Sequence, residues 1–285
     1  MKITSLLILS LGLTNVATCQ FTEEKPLAWY PEIHFNLLID DTDNDGHYDI
    51  LNSSVFKGPR IITNNGDNSF AFPVSLAEYG INYNDHKIAD IDMDGDLDII
   101  AVRPSLGFVS LFTNDGDNVF TETIIYDLPS GTGSIEVADI NNDGYPDVSF
   151  RKDYSDIIVA LNDGVGGFTL TTVLSDLSYS FRHHINFNVN GDFDKDLFIF
   201  DNISSSIIYC ENLGGTYADP VIITTDAYAL DAMEAMDIDE DGDLDVLYTN
   251  PATEKFMLLE NLGDGAFADA VVFLAATNHR THGLS

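Results

Sequence analysis

The stretch that decides the fold is Asp90-Ile91-Asp92-Met93-Asp94-Gly95-Asp96-Leu97-Asp98, because the chain repeats it. The same spacing of acids stands at Asp41-Thr42-Asp43-Asn44-Asp45-Gly46-His47-Tyr48-Asp49, at Asp139-Ile140-Asn141-Asn142-Asp143-Gly144-Tyr145-Pro146-Asp147 and at Asp237-Ile238-Asp239-Glu240-Asp241-Gly242-Asp243-Leu244-Asp245. A degraded copy reads Asn188-Val189-Asn190-Gly191-Asp192-Phe193-Asp194-Lys195-Asp196. The first positions, 41, 90, 139, 188 and 237, are 49 residues apart every time. A fixed period of this length marks a repeat architecture. A second signature trails each cluster: Asn64-Asn65-Gly66 with Phe70, Asn114-Asp115-Gly116 with Phe120, Asn162-Asp163-Gly164 with Phe168, Asn212-Leu213-Gly214 with Tyr217, and Asn261-Leu262-Gly263 with Phe267. Asn and Gly tolerate the backbone of tight hairpin turns, and the aromatic then opens a strand.

Each unit therefore predicts four short strands. In the second unit they fall at 87–89, 99–102, 108–113 and 119–126, rich in β-branched and aromatic residues and without a helical period. The fold class is all-β, and a four-stranded unit of this length is the size of a β-propeller blade. The expected organisation is a signal peptide at 1–19, a short segment at 20–26, and repeats at about 27–75, 76–124, 125–173, 174–222 and 223–271, with the start of a further unit at 272–285. A sixth cluster would begin at position 286, one past Ser285. Either a small five-bladed ring or part of a longer propeller fits this arithmetic, and a fragment of a longer protein or an incomplete ring is the expectation.

The chemistry of the loops points to a hard cation. In Asp-x-Asp-x-Asp-Gly-x-x-Asp the side chains at positions one, three and five converge as the chain curls, and the glycine at six permits the sharp turn. Position seven offers its backbone carbonyl, and the aspartate at nine closes the shell. The candidate ligands are Asp41, Asp43, Asp45, His47 and Asp49; Asp90, Asp92, Asp94, Asp96 and Asp98; Asp139, Asn141, Asp143, Tyr145 and Asp147; and Asp237, Asp239, Asp241, Asp243 and Asp245. All are oxygen donors, with His47 and Tyr145 counted for their carbonyls, which suits Ca²⁺ rather than zinc or copper and suits magnesium less well. Ligand positions hold 17 of the 47 acidic residues, and carboxylates packed so closely repel one another unless a cation compensates. An EF-hand is excluded, because position twelve is Asn52, Ala101, Phe150 or Tyr248 instead of glutamate. In the fourth loop Phe193 stands in place of the glycine and Asn188 and Asn190 replace acids, so that site is expected to be empty or weak. Four structural calcium sites are expected.

These paired signatures resemble the FG-GAP or VCBS repeats of extracellular β-propellers, similar to the calcium-loop blades of integrin α-subunit heads, over about residues 27–285. The resemblance implies propeller architecture, calcium in the loops, and roles in adhesion, glycan contact or scaffolding. It does not imply one function, because sites are grafted onto folds.

Composition narrows the partners. With 47 acidic against 12 basic residues the formal net charge is −35, so nucleic acids and anionic membranes are repelled. Hydrophobic content of 45% is that of a folded globular chain. Lys2, the apolar run from Leu6 to Leu13 and Ala17-Thr18-Cys19 form the three parts of a secretory signal peptide, with cleavage before Gln20. Lipid attachment at Cys19 is the minor alternative to free secretion. No later apolar run is long enough for a membrane helix. The partner expected is an extracellular glycan or protein ligand, with oligomeric state open.

For catalysis the weak candidates are Arg182, His183 and His184, since some calcium-dependent polysaccharide lyases resemble this fold and use basic residues. A surface cluster at a strand edge is the plainer reading, and a binding module is expected ahead of a polysaccharide-active enzyme. Cys210 falls two residues before an Asn-x-Gly turn and reads as an inert core residue. Trp29 could stack on a sugar or pack the first blade. Asn52-Ser53-Ser54 and Asn202-Ile203-Ser204 match glycosylation acceptors.

Overall fold

The computed structural model describes residues 34–275 apart from 55–57, 79, 117, 128–130, 154, 176–180, 226, 228–231 and 251–252. The expected signal peptide, the segment at 20–26, Trp29 and residues 276–285 lie outside these. Among the described residues there are five antiparallel sheets of four strands and no helix. None is therefore long and apolar enough to cross a membrane.

Blade 1 comprises β1 (His34–Asp40), β2 (Asp49–Ser54), β3 (Gly58–Ile62) and β4 (Val74–Ser75). Blade 2 comprises β5 (Asp85–Ala89), β6 (Asp98–Arg103), β7 (Phe108–Asn114) and β8 (Phe120–Asp127). Blade 3 comprises β9 (Thr132–Ala138), β10 (Asp147–Lys152), β11 (Asp156–Asn162) and β12 (Phe168–Leu174). Blade 4 comprises β13 (Phe181–Phe187), β14 (Asp196–Asp201), β15 (Ser206–Cys210) and β16 (Val221–Thr224), and blade 5 comprises β17 (Met233–Met236), β18 (Asp245–Asn250), β19 (Lys255–Leu259) and β20 (Val271–Ala275). Strands pair in sequence order within each sheet, and the first strands β1, β5, β9, β13 and β17 are successive neighbours. The molecule is a five-bladed β-propeller with these strands nearest its axis. In blades 2 to 5 the strands run slightly past the repeat boundaries drawn from sequence.

Register places the acidic clusters. The residue before each cluster pairs with its ninth position: Asp40 with Asp49, Ala89 with Asp98, Ala138 with Asp147, Phe187 with Asp196 and Met236 with Asp245. Each loop is therefore the connection between the first and second strands of a blade. Side chains alternate between the two faces of a strand, so every blade has a forward face toward the next blade and a back face toward the previous one. Blade 2 offers Ile100, Val102, Val109 and Leu111 forward, and blade 3 meets them with Ile135, Val148, Phe150 and Ala160. Leu51 and Ile61 of blade 1 meet Ile99, Ala101 and Phe112 of blade 2 in the same way. Phe198, Phe200 and Ile207 of blade 4 meet Met233, Val246, Tyr248 and Leu259 of blade 5. Burying each such side chain is worth about 1.5–3 kcal/mol, so the inter-blade layers hold the ring together.

Cys210 is fully buried and burial pushes its thiol up to about 12, which makes it the inert core residue expected. Asn52 is buried within β2, so its acceptor motif is sealed in the folded protein, whereas Asn202 lies exposed on a turn.

Candidate functional site

In loops 1, 2 and 3 the first carboxylate accepts hydrogen bonds from the backbone N–H groups of positions five and six: Asp90 takes them from Asp94 and Gly95, both at 3.1 Å, and Asp139 from Asp143 and Gly144, both at 3.0 Å. In loop 5 Asp237 accepts from Gly242 N at 3.1 Å, while Asp241 N donates to Asp239 at 3.3 Å. Position five then accepts from the N–H of position seven, as Asp45 does from His47 at 2.8 Å and Asp241 from Asp243 at 3.0 Å. The glycine at six has a left-handed backbone, with φ of 88° at Gly46 and 99° at Gly95, and a Cβ there would meet nothing within 4 Å. Backbone conformation, not space, is what selects glycine. Position four is left-handed as well, with φ of 56° at Asn44 and 61° at Met93, a demand the sequence reading did not anticipate.

This wiring aims carboxylate oxygens at a common point. Oxygens of Asp41, Asp43 and Asp45, of Asp90, Asp92 and Asp98, and of Asp237, Asp239 and Asp241 lie within 4.8 Å of one another in each set. Among the described residues, buried Asp43 Oδ1, Asp92 Oδ1 and Asp237 Oδ1 have no hydrogen-bond partner. A buried carboxylate oxygen without a donor is costly, and a cation is what the donor set would compensate it with. Burial and the neighbouring carboxylates hold the Asp43, Asp92 and Asp239 carboxyls above their usual range. The residues present thus fit a hard divalent cation in loops 1, 2 and 5. Loop 3 has the same backbone wiring with Asn141 at position three, although Asn141 Nδ2 donates to Asp143 Oδ2 at 2.8 Å.

The ninth position does more than the sequence implied. Asp98 accepts from Ile91 N at 2.9 Å with one oxygen and from Asn114 N at 2.8 Å with the other. Asp147, Asp196 and Asp245 repeat this with Ile140 and Asn162, Val189 and Asn212, and Ile238 and Asn261. Each is a buried knot between the loop and the third strand. Burial pushes Asp98, Asp147 and Asp196 up to about 6.

A further role was hidden in the Asn-x-Gly signature. The asparagine is not merely a turn former: its Nδ2 reaches back to the loop of the preceding blade. Asn114 donates to Thr42 O at 2.9 Å, Asn162 to Ile91 O at 2.7 Å, Asn212 to Ile140 O at 3.0 Å and Asn261 to Val189 O at 2.9 Å. Recurrence of asparagine, never aspartate, in all five copies was the available signal, because only the amide can donate.

The fourth loop departs as its sequence suggests. Phe193 takes up the glycine conformation at φ 78° and is 71% exposed. Asn190 turns its amide N–H groups onto Asp192 Oδ2 at 3.0 Å and Glu211 Oε1 at 3.1 Å, and Gly191 N donates to Asn188 Oδ1 at 2.8 Å. Asn141 makes the same contact to Asp143 in loop 3, so what sets loop 4 apart is Asn188 at the first position and Phe193 at the sixth, which leave only Asp192 and Asp196 as carboxylates at ligand positions.

The second feature is a cavity of about 550 Å³ near the axis, built from the starts of β5, β9, β13 and β17. Lys87, Glu136, Ile185 and Glu234 occupy equivalent positions of the four strands, and Asp85, Arg151 and His183 complete its charged lining. Lys87 Nζ lies 2.8 Å from Glu136 Oε1. Burial pulls the ammonium down, but Glu136, Asp85 and Glu234 together hold it above its ordinary range. Burial pushes Glu136 up to about 7 against the pull of Lys87, and Asp85 and Glu234 add to the rise.

Of the three catalytic candidates, all on β13, the structure separates two. His184 is buried between the hydroxyls of Ser134 and Ser149, each at 2.9 Å, and burial brings its imidazole down to about 3. Its ring is a polar core piece. His183 lines the cavity, and Arg182 lies beside it in sequence on the same strand.

An all-β ring whose blades each open on an acidic hairpin loop defines the class: a β-propeller of repeat-loop blades. Within it, a family model described as FG-GAP-like repeat matches residues 41–101 and 90–150. No curated protein matches the chain. Similar solved structures include an Agrocybe aegerita lectin described as recognising non-reducing terminal N-acetylglucosamine, at TM-score 0.63 and 22% identity over 86% of this chain and 66% of that one. The lectin BP39L of Burkholderia pseudomallei is similar at TM-score 0.66 and 12% identity over 83% of this chain and 69% of its own. The Aleuria aurantia lectin, in complex with α-methyl-L-fucoside, is similar at TM-score 0.53 and 10% identity, covering 86% and 79%. The chain thus spans just under two thirds of the first of these and 69% and 79% of the others. At such identities the likeness concerns fold alone.

Proposed function

We propose that this protein is an exported glycan-binding module whose propeller is stiffened by calcium in loops 1, 2, 3 and 5. The observation that carries the binding reading is the axial cavity. Its volume lies within the range of about 300–1,000 Å³ usual for small-ligand sites. Its lining offers carboxylates, an ammonium, a guanidinium and an imidazole side by side, a set that can both accept from and donate to sugar hydroxyls. The lectin relatives of this fold support a saccharide over a peptide. Calcium in the loops is supported by the orphaned buried oxygens of Asp43, Asp92 and Asp237. Export is supported by the layout of residues 1–19, and mass spectrometry of the protein from its host should find Gln20 as the amino terminus, or an acylated Cys19 if it is lipid-anchored.

The test is a glycan array read with and without calcium, followed by calorimetry on Glu234→Gln. A saccharide bound by the native protein and at least tenfold more weakly by this variant, at unchanged melting temperature, is the expected result. Silence across the array would overturn the glycan reading. Because His183 lines the same cavity, the array hits should also be incubated with the protein and followed by ultraviolet absorbance; unsaturated product lost in His183→Ala would make it a lyase.

A further inference from the structure

Blade 2 grips the first acidic loop at three successive residues. Asn114 Nδ2 donates to Thr42 O at 2.9 Å, Asn118 Nδ2 donates to Asp43 Oδ2 at 3.4 Å, and Asn44 Nδ2 donates to Asp96 Oδ1 of loop 2 at 2.8 Å. Among the described residues, only the first of these contacts recurs where blades 3, 4 and 5 meet the loops before them. Asn118 stands two residues before the aromatic of its Asn-x-Gly signature, where the backbone is left-handed in every blade. There φ is 68° at Asn68, 58° at Asn118, 85° at Gly166, 97° at Gly215 and 76° at Gly265. Glycine meets that demand without strain and occupies the position in blades 3, 4 and 5, so no side chain reaches loops 2, 3 and 4 from it. Asn118 therefore brings a carboxamide that the turn itself does not require.

The carboxamide meets a candidate ligand. Its two N–H donors go to Asp43 Oδ2 and, at 3.3 Å, to Thr63 Oγ1. The carboxylate sets the amide this way round, since only the nitrogen can donate to it. The other oxygen, Asp43 Oδ1, is buried without a hydrogen-bond partner among the described residues, and Asp43 converges with Asp41 and Asp45. Asp43 is thus divided, one oxygen held from the next blade and one left over. We propose that Asn118 is a positioning residue for a cation in loop 1: holding one Asp43 oxygen from blade 2, it leaves the other for the metal, so that loop 1 binds more tightly than loop 2 and its occupation ties blade 1 to blade 2. Hydrogen bonds to ligating carboxylates fix their orientation, and losing one weakens metal binding about 10–100-fold. Freedom already given up in the folded loop is not lost again on binding. The inference rests on the calcium reading above and adds to it a residue outside the nine-residue loop.

The test is calcium calorimetry on the full chain carrying Asn118→Gly, a change the turn accommodates because glycine stands at the equivalent position of blades 3, 4 and 5. One site should weaken at least about tenfold, while the other sites and the melting temperature in chelator stay as in the native protein. Asn68→Gly, the same change at an exposed position of blade 1, should leave calcium binding unchanged. Anomalous diffraction from crystals of native and variant protein in limiting calcium places the weakened site. The loop 1 peak should fall in Asn118→Gly against those of loops 2 and 5, which a general loosening of the fold would not produce. Unchanged affinity in Asn118→Gly, or an equal loss at loops 2 and 5, overturns the inference and leaves the calcium reading standing. A native chain that binds no calcium overturns the calcium reading and this inference with it. If Asn118→Gly melts early in chelator, the double variant with Asp43→Ala decides: it should bind calcium as Asp43→Ala alone does, and a further loss overturns the inference.

Discussion

The second and fourth loops share backbone register, a buried aspartate knot and an asparagine latch, and differ in what they point inward. In loop 2, Asp90, Asp92 and Asp98 bring oxygens together, and one oxygen of Asp92 has no donor. In loop 4, Asn190 fills the same space with its own amide, bonded to Asp192 and Glu211. The blade nevertheless forms in both cases, with Asp98 and Asp196 holding equivalent N–H groups at nearly equal distances. The lesson is that the ninth aspartate builds the hairpin whether or not a cation fits, and that positions one, three and five decide whether it does.

The largest effect should fall on what the loops share. Asp98→Ala and Asp196→Ala each strand two buried N–H groups and should lower stability by about 3 kcal/mol in chelator, measured by denaturant unfolding. A much milder Asp196→Ala would break the claim that the knot works without metal. Next comes what they do not share. Asp94→Ala should abolish one calcium site, worth about 2 kcal/mol when calcium stands well above its dissociation constant, while Asp192→Ala should leave calcium binding unchanged by calorimetry. Smaller again is Phe193→Gly, which relieves a bulky residue at positive φ and should stabilise blade 4 by about 1 kcal/mol. Combined with Asn188→Asp and Asn190→Asp, it should add one calcium ion to the stoichiometry.

The last comparison concerns pH. Asp98, Asp147 and Asp196 are raised by burial to about 6 in the folded protein, against about 4 in an unfolded chain. The folded state therefore holds protons more tightly between these values, and in chelator stability should decline as pH rises from 4 through 6. With calcium the decline should flatten, because the cation compensates Asp98 and Asp147; an equally steep slope with calcium would place no ion beside them.

Much of this was legible in the sequence. The constant interval between acidic clusters implied the blades, and the strands expected at 87–89, 99–102, 108–113 and 119–126 are observed within two residues as β5 to β8, apart from small extensions at their ends. The substitution at Phe193 marked the one divergent loop. What stayed hidden depends on distance along the chain. Asn114 looks like an ordinary turn residue, and its partner carbonyl at Thr42 is 72 residues away. The cavity was unreadable because Lys87, Glu136, Ile185 and Glu234 occupy equivalent positions with unlike side chains, so no pattern links them until the ring brings them together.

The most direct test of the loop comparison is anomalous diffraction from crystals grown in millimolar calcium. Peaks at the centres of loops 1, 2, 3 and 5, with none beside Phe193, are the predicted result. Four bare acidic loops, or a fifth peak coordinated by Asn190 and Asp192, would contradict it.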